Sequence, residues 1–159
     1  MNVVVVAVGK LKEKYLVEGV AEYQKRLQGY LKIEVIEVKE ESFREPLSSK
    51  SVEQIKEKEG KRILDQIPSG SFAIILDPQG KTLMSDQLAT EINNLAIYGR
   101  SNIAFVIGGS LGLGQNVISR ADFILSFSRF TFPHQLIRLI LMEQLYRVMT
   151  IIKGEKYHK

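Results

Sequence analysis

The stretch Ile103–Gln115, reading Ile-Ala-Phe-Val-Ile-Gly-Gly-Ser-Leu-Gly-Leu-Gly-Gln, constrains the fold more than any other part of the chain. Ile103 to Ile107 form a short apolar, partly β-branched run that Gly108 and Gly109 stop, which is how a buried strand entering a ligand-binding turn reads. Gly108, Gly109, Gly112 and Gly114 fall within seven residues, a density that lets the backbone take positive φ angles and approach a bound molecule closely. A plain structural turn could use the same residues.

The rest of the chain reads as a scaffold for that turn. Asn2–Val8 is a buried strand, and Glu13–Tyr30 a helix with Leu16, Val20, Tyr23, Leu27 and Tyr30 on one face. Ile33–Val38 interleaves two glutamates with apolar residues, as in a strand nearer the sheet edge. Lys39–Arg62 carries seven basic and six acidic residues. It is either an RNA-contacting loop or a mobile loop leading into a solvated helix with pairs such as Glu57 and Lys61. Phe72–Leu76 is a second fully apolar strand, closed by a tight turn at Asp77-Pro-Gln-Gly80. Ser85 is placed to cap a helix reaching about Tyr98, with Asp86 at its positive end and Gly99 as its stop. A short helix over Gln115–Arg120 and a strand over Asp122–Ser126 follow the glycine turn. Strands alternating with helices specify one α/β domain over residues 1–159, with a mainly parallel sheet and no internal repeat.

Such sheets bind ligands beyond the carboxyl ends of their strands, so the end of Phe72–Leu76, the glycine turn and the segment after Leu125 are expected to meet. A dinucleotide fingerprint would need glycine where Val117 stands, and a P-loop would need lysine where Gln115 stands. With neither phosphate motif met, a ligand such as an adenosine held by backbone groups suits the turn better. The chain has no cysteine, and with His134 and His158 as its only histidines a zinc site would need carboxylates, so no metal is expected. A net charge of +4 permits a nucleic-acid partner without requiring one. No basic flank precedes the apolar N-terminus as a signal peptide requires, and the run Leu139–Met142 is far below the ~20 residues that cross a bilayer. A cytoplasmic protein with no membrane contact is therefore expected.

The segment Ser126-Phe-Ser-Arg-Phe-Thr-Phe-Pro-His134 is rich in hydroxyls and aromatics and leads into a helix with Pro133 in its first turn, running to about Met149. His134 either lines the pocket or caps this helix. Arg138 is flanked by Leu136, Ile137, Leu139 and Ile140, where an unpaired guanidinium would be costly. It needs an anionic or carbonyl partner, such as Glu143 or another carboxylate, or an opening to solvent. Apolar residues occur on most sides of the helix, so one face should pack on the sheet and another on a second subunit, giving a two-fold homodimer.

The motifs Leu76-Asp-Pro-x-Gly80, Phe105-Val-Ile-Gly-Gly-x-x-Gly-Leu113 and Leu125-Ser-x-Ser-x-x-Thr-x-Pro-His134 are followed by Arg138 and the terminal Tyr157-His-Lys. In this order, across essentially the whole chain, they resemble the RlmH family (the YbeA or OrfX type) of SPOUT-superfamily methyltransferases, which methylate N3 of a pseudouridine in 23S ribosomal RNA. The resemblance implies a trefoil knot in the C-terminal part, with the chain after the glycine turn threaded through another loop. It implies S-adenosylmethionine in that knot, bordered by Leu76, Gly108, Phe127, Ser128, Arg129, Phe130, Thr131 and Phe132. It also implies a homodimer with the site near the subunit interface, and as substrate helix 69 of 23S rRNA in the assembled ribosome. Phe127, Phe130 and Phe132 make the last loop unusually aromatic for the family, which bears on side-chain roles there and not on backbone contacts.

Methyl transfer from a sulfonium asks the protein mainly to align donor and acceptor and to exclude water. The acceptor N3 is an imide nitrogen carrying a proton, so a base or an electrostatic helper is needed. Arg138 could stabilise charge on the uracil carbonyls, and His134 or His158 could take the proton. The segment Arg147–Lys159 holds four basic residues against Glu155 alone. It could hold phosphates, with Tyr157 and His158 stacking on an unpaired base, or it could be a frayed terminus. Competing functions are a SPOUT methyltransferase acting on tRNA, a non-catalytic nucleotide- or RNA-binding dimer, and a structural ribosome-associated dimer with no small ligand.

Overall fold

A strand that is apolar on both faces has to be covered on both. β1 (Asn2–Val8) and β4 (Asn102–Ile107) are such strands, and they pair with each other, Asn2 opposite Asn102, near the centre of a five-stranded parallel sheet. The computed structural model describes residues 1–159. β2 (Lys32–Val38), β3 (Phe72–Thr82) and β5 (Phe123–Ser126) complete the order β2-β1-β4-β3-β5, every neighbouring pair parallel. The edge position expected for β2 is the one it occupies, and its partly exposed alternation follows from it.

Helices cover both faces. α1 (Lys14–Leu27), α3 (Ser85–Ile97) and α5 (His134–Ile152) lie on one side, where Val5, Ala7 and Phe105 meet Val20, Ile92, Leu141 and Leu145. α2 (Ser49–Gln66) and α4 (Gln115–Arg120) lie on the other, where Val6, Val8, Ile75 and Val106 meet Ile63 and Val117. The alternation of β1 and β4 thus divides one sheet between two cores. α5 packs against both α1 and α3. A Cβ on Gly19 of α1 would come within 2.9 Å of Leu139 Cδ1, so the small residue sets a close helix crossing. The chain's own α1 and α3 therefore cover much of α5. Leu136, Ile137, Leu139 and Ile140 remain half-exposed.

Several boundaries differ from expectation. Leu76 and Lys81 both pair with Leu125, so Asp77–Gly80 is looped out of a strand that continues to Thr82 and is not the turn that ends it. Gly80 is required there, since a Cβ would sit 2.7 Å from the Ile124 carbonyl. Ser85 is the first helical residue of α3 and not its cap. Its hydroxyl donates to Gln144 Oε1 at 2.7 Å, while Gln87 Oε1 accepts the Met84 N–H at 2.8 Å. α1 is shorter than the apolar periodicity suggests, and Pro133 precedes α5, which runs on to Ile152. Asp122 lies outside β5 and instead accepts the Ala73 N–H at 2.8 Å. No helix is long and apolar enough to cross a membrane.

Candidate functional site

The carboxyl ends of β3, β4 and β5 open into one cleft of about 190 Å³ that is partly open to solvent. β3 contributes Leu76, Asp77 and Pro78; β4 contributes Ile107 and the glycine turn as far as Leu113; β5 contributes Leu125 and the loop beyond it. The first turn of α5 closes one side with His134 and Ile137. This is the convergence that the strand-end rule anticipates.

Local packing explains the glycine turn, and it corrects its first reading. Only Gly112, at φ +87°, takes a positive φ, and its N–H returns to the Gly109 carbonyl at 3.1 Å. The other three glycines are needed where the turn meets its own chain. A Cβ on Gly108 would lie 2.9 Å from Leu113 Cγ, one on Gly109 3.1 Å from Val8 Cγ1, and one on Gly114 3.1 Å from the Lys56 carbonyl. Behind the turn stands α2. Asn116 Nδ2 donates to the Glu57 carbonyl at 3.1 Å, and buried Glu59 accepts the Glu41 N–H at 3.0 Å. Burial pushes the Glu59 carboxyl above its ordinary pKa, partly offset by that hydrogen bond. Arg62 donates to the Lys39 carbonyl and to Glu41, and hydrogen bonding to Arg62 holds Glu41 below the usual carboxylate range. Of the charges in the Lys39–Arg62 segment, Glu41, Lys58, Glu59 and Arg62 tie its start to α2.

The aromatic loop is braced internally. Ser126 Oγ donates to the Ser128 carbonyl at 3.1 Å, and the Phe130 N–H donates to Ser128 Oγ at 3.0 Å. Phe127, Ser128, Phe130, Thr131 and Phe132 line the cleft together with Leu76 and Gly108, whereas Arg129 does not. Phe130 is 77% exposed and meets Phe132 edge-on at the mouth. No lysine or arginine lines the cleft, so it offers no cationic seat for a phosphate. Apolar walls, a glycine-rich floor and free loop backbone fit a phosphate-free nucleoside, and so fit the cofactor that the resemblance implies.

The four candidate catalytic residues are not brought together. His134 lines the cleft half-buried, and burial pushes its pKa below the ordinary histidine value, with Glu40 opposing and Arg138 and Lys12 adding to the shift. Arg138 is 1% exposed and lies behind the lining. Its Nη1 donates to Glu37 Oε2 at 2.5 Å and its Nη2 to the Gly9 carbonyl at 2.9 Å, leaving Nε without a partner. The required anionic and carbonyl partners are both present, but the carboxylate is Glu37; Glu143 pairs with Arg147 instead. Tyr157 and His158 do not line the cleft of this chain. The Tyr157 hydroxyl donates to Glu143 Oε1 at 3.1 Å, and its ring packs 4.7 Å from Tyr146 under the Arg147 guanidinium. Its pKa is raised by the Tyr23 hydroxyl, burial and Glu143. Tyr30 is hydrogen-bonded to Glu155, which pushes its pKa up to about 12, and His158 Nδ1 lies 3.3 Å from Arg147 Nη1. Asp77 and Pro78, which the sequence offers as turn chemistry, and Ile137, one of many apolar positions on α5, line the cleft as well, and no local pattern marks them as lining residues.

Comparison with known proteins gives the family. The family described as "Predicted SPOUT methyltransferase" matches residues 1–158. "Ribosomal RNA large subunit methyltransferase H" of Carboxydothermus hydrogenoformans is 54% identical over 159 residues, and the protein of the same name from Listeria welshimeri 52%, each match covering 100% of both chains. A crystal structure described as that of a methylase family protein of Neisseria gonorrhoeae superposes with a TM-score of 0.52 at 11% identity, covering 91% of this chain and 81% of the other; that likeness concerns the fold alone.

Proposed function

Because the chain belongs to the SPOUT methyltransferase family, we propose that it transfers a methyl group from S-adenosylmethionine to N3 of a pseudouridine in helix 69 of 23S rRNA. In this reading it acts in the cytoplasm, as a homodimer, on the assembled ribosome, and the chain beyond the glycine turn is threaded as a trefoil knot. The relatives' names support ribosomal RNA of the large subunit as the substrate class; the nucleotide and the helix rest on the motif resemblance. The observation that carries the reading is the cleft at the ends of β3, β4 and β5, apolar and free of lysine and arginine.

S-adenosylmethionine supplies, when bound, an electrophilic methyl on a sulfonium. Leu76, Gly108 and the Phe127–Phe132 loop hold the cofactor, and the apolar walls keep water from the transfer path. His134, kept neutral by burial, is placed to accept the proton that the imide nitrogen gives up. Arg138 anchors the first turns of α5 to the ends of β1 and β2, and so orients His134 one turn away. The basic tail, with Tyr157 and His158, meets the RNA. The half-exposed apolar residues at the start of α5 form part of the dimer contact.

The test is tritium transfer from labelled S-adenosylmethionine to ribosomes with and without the helix 69 pseudouridines, to free 23S rRNA and to tRNA. Label confined to pseudouridylated ribosomes is expected. Transfer to tRNA would move the substrate, and no transfer to any RNA would refute the reading.

A further inference from the structure

One charge in the cleft is unanswered. Asp77 is its only carboxylate, no lysine or arginine shares the lining, and Asp77 takes part in no ion pair anywhere in the chain. The other ionisable lining group, His134, is disfavoured by burial from carrying a compensating positive charge. The side chain is held by its own loop. Asp77 begins the segment looped out between Leu76 and Lys81, and its Oδ1 accepts the Gln79 N–H at 2.8 Å, which fixes the carboxyl group. Oδ2 makes no hydrogen bond to the protein. Asp77 is half-buried and lines the cleft together with Leu76, Ile107 and Leu125, so a cationic ligand group bound there would find an unpaired carboxylate among apolar walls.

We propose that Asp77 is the counter-charge for the sulfonium of the bound methyl donor, and so makes the cleft prefer the charged cofactor to its uncharged thioether product. The inference rests on the cofactor reading above. When the S–CH3 bond breaks, its electron pair stays on sulfur, the methyl joins the acceptor nitrogen, and that nitrogen's proton passes to a base or to water. The sulfur is then neutral and Asp77 has nothing left to attract. The carboxylate thereby favours exchange of product for fresh donor at each turnover.

Asp77→Asn removes the charge while keeping an oxygen that can accept the Gln79 N–H, and its unfolding midpoint checks that the loop survives. Calorimetric titration with S-adenosylmethionine, S-adenosylhomocysteine and sinefungin, which carries an ammonium in place of the sulfonium, reads the effect without any turnover. The expected result is a loss of at least about tenfold in affinity for S-adenosylmethionine and sinefungin, with S-adenosylhomocysteine nearly unchanged. An equal loss for all three ligands would mean that Asp77 holds a group common to them, such as the ribose or the α-ammonium, and would overturn the proposal. No loss for any ligand would overturn it too. Wild-type protein that binds none of the three would overturn the cofactor reading itself, and this inference with it. If Asp77→Asn fails to fold, wild-type protein must still bind sinefungin more tightly than S-adenosylhomocysteine, and more so at low salt; equal binding refutes the idea.

Discussion

Replacing Gly60 by alanine is expected to destabilise the protein, although alanine is the better helix former by about 1 kcal/mol. Gly60 is buried in α2 facing α4, and a Cβ there would lie 2.4 Å from Asn116 Oδ1 and 2.7 Å from Nδ2. The Asn116 side chain has to swing away. It then loses its bond to the Glu57 carbonyl at 3.1 Å and the one its Oδ1 accepts from the Val117 N–H at 3.0 Å. At roughly 1 kcal/mol each the two bonds outweigh the gain in helix propensity, leaving a net loss of about 1 kcal/mol. With Asn116→Ala already in place, those bonds are gone and the obstruction with them, so Gly60→Ala should stabilise by about 1 kcal/mol. The sign reverses between the two backgrounds, a coupling of about 2 kcal/mol. Urea unfolding of the four proteins of the cycle, at one protein concentration and with unchanged m, measures it. If Gly60→Ala stabilises the wild-type protein as much as it stabilises Asn116→Ala, the α2–α4 contact does not clamp the glycine turn in the way described.

Glu37→Gln should cost about 1.5–3 kcal/mol in the same assay, because the buried Arg138 guanidinium loses its charged partner; a loss below about 0.5 kcal/mol would show the Gly9 and Val8 carbonyls to be sufficient. The pH dependence of stability carries two opposite contributions. Burial lowers the His134 pKa from 6.5, so the unfolded chain binds that proton first, and stability falls as pH drops below 6.5 through the folded value. His134→Gln should flatten that slope in urea midpoints taken across the range, and an unchanged slope would refute the assignment. Glu59, whose pKa burial raises from 4.5, works the other way: its contribution is full below 4.5 and is lost as pH rises through the folded value. Glu59→Gln should therefore gain stability relative to wild type at neutral pH but not near pH 4.5, a difference read from paired melts. Deleting Tyr157–Lys159 should leave S-adenosylmethionine binding nearly intact, abolish methylation and lower the melting temperature, since the Tyr157 contacts with Tyr146 and Glu143 go with it; normal activity in the truncated protein would sink the tail's assigned role.

The elements legible in the sequence were those whose pattern is decided within the element. Asn2–Val8, Asn102–Ile107 and Gln115–Arg120 have the bounds that apolar runs and flanking glycines suggest. The cleft was legible as well, because parallel strands bring their carboxyl ends to one side. Pairings between distant segments were not. β3 continues past Gly80 only because Lys81 and Thr82 find Leu125 and Ser126, and Arg138 finds Glu37 across 101 positions. Composition does not separate a glycine that needs a positive φ from one pressed against its own chain: Gly112 alone of the four takes a positive φ, while Gly108, Gly109 and Gly114 are small because the turn packs against its own chain. Charge alone made the tail look solvated. Its anchors are tyrosines spread from Tyr23 to Tyr157, which no local pattern joins.

The place of α5 in the chain bears on when this protein can become itself during synthesis. β1 is made first, yet its partner β4 begins at Asn102, and the helix whose Leu141, Met142, Leu145 and Val148 fill the larger core starts at His134. A nascent chain that has paired β1 with β2 still shows water an apolar sheet face. It stays open to non-native association until the last helix emerges from the translating ribosome. Folding is therefore tied to the synthesis of α5, and the cleft, built from the ends of β3, β4 and β5 and closed by the first turn of that helix, cannot take shape in a product that stops short of it.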